Sequence, residues 1–111
     1  MAELIWAEPA LHDLDAIADY IALEDPVAAR RLVKRVFEHA EQLEAHPESG
    51  SHPPELRSSS RRYRQIIEPP CRVFYRHDSS VDKVFVLYIV RGERRFRKNR
   101  LSQRDRENPG A

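Results

Sequence analysis

A chain of 111 residues has room for one compact domain with one modest core. Apolar residues make up 41% and charged residues 33%, which fits a globular chain and leaves no run near the ~20 apolar residues a membrane helix needs. The net charge of +1 hides a division: residues 1–60 hold 5 basic and 12 acidic side chains, while residues 61–111 hold 14 and 6. Either the basic half faces an anionic partner, or the two halves neutralise each other within the fold.

The chain opens with "ELIWA" at 3–7, a short strand of bulky apolar residues in which Trp6 reads as core. Residues 8–24 have helical periodicity. Pro9 suits the first turn, and Leu11, Leu14, Ile17, Ala18 and Ile21 form one stripe. "EDP" at 24–26 ends that helix and starts a second, with Asp25 as its N-cap and Pro26 in its first turn. Ala29, Leu32, Val33, Val36, Phe37, Ala40 and Leu43 then recur at helical spacing until Pro47 and Gly50 stop the pattern near His46. Two amphipathic helices joined so tightly make an antiparallel hairpin.

Residues 46–60 are rich in Pro, Ser and Gly and read as a surface loop. Three segments enriched in β-branched and aromatic residues follow, at 62–68, 71–78 and 82–92. Short turns between them predict an antiparallel meander. In the last strand Val84, Val86, Tyr88 and Val90 alternate with Phe85, Leu87, Ile89 and Arg91, so both faces are apolar and the strand is central. The result is an α+β domain, β-α-α-β-β-β, with a helical hairpin packed on a small antiparallel sheet. The domain spans 1–96. The other sheet face is expected to stay partly open, with arginines gathered on it. Residues 97–111 read as a basic, polar tail, whose final stretch, 100–111, is expected to fray when alone.

The N-terminus "MAELIWAEP" carries no basic region followed by an apolar run, so a cytoplasmic location is the default expectation. The single cysteine, Cys71, excludes an intrachain disulfide and reads as a small apolar filler. His12, His39, His46, His52 and His77 show no metal-ligand spacing, and neither a metal nor a cofactor is expected.

Arg64, Arg72, Arg76 and Arg91 fall on or beside the predicted strands, interleaved with Tyr63, Tyr75 and Tyr88. Arginine grips phosphate bidentately and aromatic rings stack on bases, so this is an RNA surface in outline. Ordinary strands carry the same residues. Hydrolytic machinery is sparse: Ser58, Ser59 and Ser60 lack a matching His–Asp spacing, and Tyr75 and His77 are the acid–base candidates near the cations. The segment 88–100 begins as an apolar strand and ends in Arg91, Arg94, Arg95, Arg97, Lys98 and Arg100. Phe96 inside that cluster is either a hook that docks the tail on the sheet or part of a partner contact.

A resemblance adds to this reading. "W-x-E-P-A-L-x-D-L-x-x-I-x-x-Y-I" at 6–21, "P-x-A-A-x-x-L-V" at 26–33, "L-x-x-x-P-x-x-G" at 43–50, Tyr63–Arg64, "R-V-F-Y-R" at 72–76 and "V-R-G-E-R-R" at 90–95 resemble, in order and spacing, the ParE/RelE toxin superfamily. The resemblance implies the toxin of a type II toxin–antitoxin pair and a β-α-α-β-β-β fold. It also implies a ParD-like antitoxin that wraps the toxin with a helix and an extended segment. RelE-like members cleave mRNA on the ribosome with basic residues and usually a C-terminal Tyr or His. ParE-like members poison DNA gyrase. Arg64 and Arg94 resemble the RelE-type cationic positions, joined in that alternative by Arg76. No Tyr or His follows Tyr88. That departure, with the long hairpin, favours the ParE branch: a non-enzymatic inhibitor of gyrase, and so of DNA replication. Its contacts to gyrase and any gyrase-bound DNA would come from Arg91, Arg94, Arg95, Phe96, Arg97, Lys98 and Arg100.

Overall fold

The computed structural model describes residues 1–56, 61–92 and 96–107. The elements run β1 (Glu3–Trp6), α1 (Glu8–Ala22), α2 (Pro26–Glu41), β2 (Tyr63–Glu68), β3 (Cys71–Asp78), β4 (Lys83–Arg91) and α3 (Lys98–Glu107). Short 3-10 turns, Gln42–Glu44 and Pro54–Leu56, punctuate the long loop. The expected order therefore holds, with a third helix added.

The hairpin begins as its sequence dictates. Pro9 and Pro26 lie in the first turns of α1 and α2. The Asp25 carboxylate accepts the Ala28 N–H at 3.0 Å, so the expected N-cap is in place. Ala10, Leu14 and Ile17 of α1 and Ala29, Leu32, Val36 and Ala40 of α2 are buried at the helical spacing that the stripe predicts.

The sheet has four strands in the order β1-β4-β3-β2. The β2-β3-β4 meander is antiparallel, as expected, but β1 pairs parallel to β4, so the sheet is mixed. Strand β4 is central and buried from Val84 to Val90. Its regular alternation does not survive. Phe74 pairs with Tyr88, yet Tyr75 pairs with Val86 and Arg76 with Phe85, so Leu87 is an extra residue in a β-bulge. Opposed residues share a face, which puts Phe85 with Tyr88 and Val90, and Val84 and Val86 with Ile89 and Arg91.

The two faces follow from this register. Trp6 meets Phe37 of α2 at 4.8 Å between ring centroids, and Arg91 stacks over Tyr20 of α1, so the hairpin covers the face that carries Arg91. The opposite face is not left open. Phe96 packs on Phe74 at 4.7 Å, and α3 lies across the sheet with Leu101 and Asp105 buried. Residues 98–107 are thus a helix docked on the sheet. Two anchors, Phe96 and Leu101, hold what the polar composition of this segment would otherwise leave in water.

Candidate functional site

Bulge, helix and strand end combine at one place. Strand β1 stops at Trp6, paired to Val86, while β4 runs on to Arg91, so the stretch after the bulge has no strand beside it on that side. Asp13 of α1 substitutes for part of the missing strand. Its Oδ2 accepts the Ile89 N–H at 3.0 Å and Arg104 Nη1 at 2.7 Å, while Oδ1 accepts Arg104 Nη2 at 3.0 Å. Arg104 Nη1 also donates to the Leu87 carbonyl at 3.0 Å. One fork of α3 thus satisfies both a backbone carbonyl that the bulge turns outward and the carboxylate that holds the next N–H.

Beyond this clamp lies a cleft of about 560 Å³, lined by Asp13, Ala16, Ile17 and Tyr20 of α1, by Tyr88–Arg91 of β4, and by Arg97 and Arg100. Ile17, Tyr88, Ile89 and Val90 give it an apolar floor. Arg91, Arg97 and Arg100 give it a cationic rim. Burial pushes the Tyr88 phenol above 10.0. Such a cleft suits a segment that is extended, apolar on one side and acidic on the other.

Of the residues expected to bind a target, Arg91, Arg97 and Arg100 line this cleft. Phe96 and Lys98 lie beside it, in a neighbouring hollow shared with Arg97 and Arg100. Phe96 is the hook: it is partly buried against Phe74 and Tyr88, with the Arg72 guanidinium 5.5 Å from its ring centre. Arg94 and Arg95 lie outside the described residues, as do Ser58, Ser59 and Ser60.

The arginines expected to gather on an open face are divided and engaged instead. Arg64, opposite Tyr75, leaves the hairpin face and donates through Nη1 to the carbonyls of Glu48 and Gly50 at 3.1 and 2.8 Å. Arg76 leaves the α3 face, is 5% exposed, and donates through Nε to Asp105 at 2.9 Å. Arg64 and Arg76 both line a hollow of about 390 Å³, with Arg61, Arg62, Glu48, His77 and Asp78. Arg72 makes a bidentate pair with Glu55 at 2.8 Å, which holds that carboxyl below its usual 4.5.

The two acid–base candidates are tied up as well. Tyr75 is fully buried and its hydroxyl accepts the Gly50 N–H at 2.9 Å. His77 Nε2 lies 3.1 Å from Asp82, a residue at φ 51° in the β3–β4 turn. Among the described residues, no group of three or more His, Cys, Asp or Glu side chains could hold a metal ion. No helix among them is long and apolar enough to cross a membrane.

Sequence reasoning missed three contributors: Asp13, Tyr20 and Arg104. Asp13 lies largely off the apolar stripe of α1, so the stripe does not single it out. Nothing in the local pattern announced the bulge it serves.

Comparison with known proteins places this geometry. The family described as the ParE toxin of the type II toxin–antitoxin system parDE matches residues 4–96. The Toxin RelE2 of Caulobacter vibrioides is 33% identical over 91 residues, spanning 82% of this chain and 99% of that protein. The structure described as the chromosomal ParDE system from P. aeruginosa superposes with a TM-score of 0.66 at 29% identity, covering 84% of this chain and 98% of that one. The isolated E. coli RelE toxin shares the fold at 16% identity and a TM-score of 0.54, covering 95% and 99%. The family match ends before α3.

Proposed function

This chain belongs to the ParE toxin family of type II toxin–antitoxin systems, and from that premise we propose that it acts by binding DNA gyrase and blocking DNA replication, until a ParD-like antitoxin neutralises it. The engagement of Arg64 and Arg76 within the fold carries this choice. A metal-free ribonuclease needs cations free to take up phosphate charge beside an acid and a base. Here Arg64 holds two carbonyls, Arg76 holds Asp105, and Tyr75 holds Gly50. Arg91, Arg97 and Arg100 line the cleft at β4, and there they sit over apolar residues. That combination favours holding a protein, or a protein with its bound DNA, over cutting RNA.

The antitoxin reading uses the same cleft. An acidic segment with an apolar stripe that orders on binding would cover the floor and neutralise the rim together. Its occupation would deny the cleft to any target.

Gyrase supercoiling with purified toxin tests the proposal. Inhibition is expected, with relief when the antitoxin is added. Normal supercoiling at saturating toxin, combined with codon-linked cuts in mRNA in a translating extract, would replace it with the ribosome-dependent endoribonuclease reading.

A further inference from the structure

The outer face of the helical hairpin holds a second groove, separate from the cleft at β4. Ala18, Asp19 and Ala22 of α1 line one wall. Ala29, Arg30 and Val33 of α2, with Pro26, line the other, around about 330 Å³. Alanines let another helix approach closely. Asp19 and Arg30 are exposed on opposite walls, and neither makes an ion pair or side-chain hydrogen bond among the described residues. Just past the groove, at the hairpin tip, Leu23 is 82% and Val27 45% exposed.

We propose that two copies of this chain pair through this groove, about a two-fold axis running along it. That axis lays each α1 antiparallel on the other copy's α2. It sets Asp19 of one copy against Arg30 of the other, twice, and it covers Leu23 and Val27. The occupant follows from the charges. Walls of opposite sign are complementary to their own two-fold image, whereas a partner of one sign would meet one wall of like charge. The patch is small, so a reversible equilibrium at micromolar concentration is expected. The pairing leaves the cleft beside Arg91 uncovered, and it does not depend on the toxin's target.

Sedimentation equilibrium of the purified chain is the test. The native chain should pass from monomer to dimer with concentration. Asp19→Arg and Arg30→Asp should each remain monomeric, because each places like charges across both contacts. Both positions are exposed, and circular dichroism would check that the variants are folded. Mixed one to one, the two variants should dimerise again, since a chain with two arginines then meets a chain with two aspartates. A native chain that stays monomeric overturns the proposal, even if Arg30→Asp loses its antitoxin, which would assign the groove to that partner. Dimers that persist in both single variants, or a mixture that stays monomeric, overturn it too.

Discussion

Asp105 gathers three donors on one buried carboxylate: Arg62 Nε at 2.9 Å, the Tyr63 hydroxyl at 2.8 Å and Arg76 Nε at 2.9 Å. Arg76 is equally buried, and without the carboxylate its nearest acid among the described residues is Asp78 at 3.7 Å, so its charge is left poorly compensated. Asp105→Ala should therefore lower stability by about 3–5 kcal/mol, the range for a buried pair broken on one side. Urea unfolding measures it, and a loss within error would mean that the pair is dispensable. Gly50 answers to sterics. A Cβ there would lie 2.6 Å from the Gln65 carbonyl and 2.6 Å from the Tyr75 hydroxyl. Gly50→Ala should cost about 1–3 kcal/mol as overpacking, seen as a lower Tm, and an unchanged Tm would show that the loop yields freely. Three phenols set the alkaline limit. Burial, chiefly, raises Tyr63, Tyr75 and Tyr88 above the ordinary 10.0. The folded state then holds these protons more tightly than the unfolded chain. Their contribution is whole below pH 10 and is lost as pH rises through the folded values. Unfolding followed against pH should show stability falling above about pH 10, and tyrosinate absorbance in the native protein should lag behind that of free tyrosine.

Among the elements, α3 depends most on its surroundings. Ten residues are too few for a stable isolated helix, so its order comes from docking. Leu101, fully buried, carries the apolar share of that docking. Leu101→Ala should cost about 2–5 kcal/mol, and hydrogen exchange should show protection lost first across residues 98–107. Uniform loss across the chain would mean that α3 folds as one unit with the sheet. The same helix shows where the sequence was silent. Both hairpin helices were legible because a proline, an early acid and an apolar stripe agree within each: Glu8 in the first turn of α1, Asp25 as the N-cap of α2. The meander was legible because β-branched runs alternate with short turns. Around α3 the signal is only Phe96 just before it, Leu101 and one buried acid, Asp105, among cations, and what they pack on lies largely on β2, β3 and β4. The bulge at Leu87 was hidden for a similar reason: an unbroken apolar strand reads the same in either register. The cleft depends on both features, so its arginines could be named from sequence but their setting could not.

At the scale of the molecule, the acidic and basic halves neutralise each other in part within the fold. Arg104–Asp13, Arg72–Glu55 and Lys83–Glu3 each set a cation of the basic part against an acid of the acidic part. Where the strand end and α3 meet, Arg97, Lys98 and Arg100 are all exposed and outside these pairs. A cationic rim of this kind speeds encounter with an acidic partner and acts over about 8 Å at physiological ionic strength. Among the described residues, Arg97 and Arg100 make no side-chain hydrogen bond or ion pair that holds the sheet together, so reversing both separates function from stability. Arg97→Glu/Arg100→Glu should melt within a few degrees of the native protein. It should also lose growth inhibition when expressed without antitoxin, and bind its target more weakly at low salt than the native chain does. The native affinity should itself fall as salt rises, while the residual affinity of the double variant should not. Full toxicity in the folded double variant would remove the rim from the target interface and leave the apolar floor of the cleft to account for it.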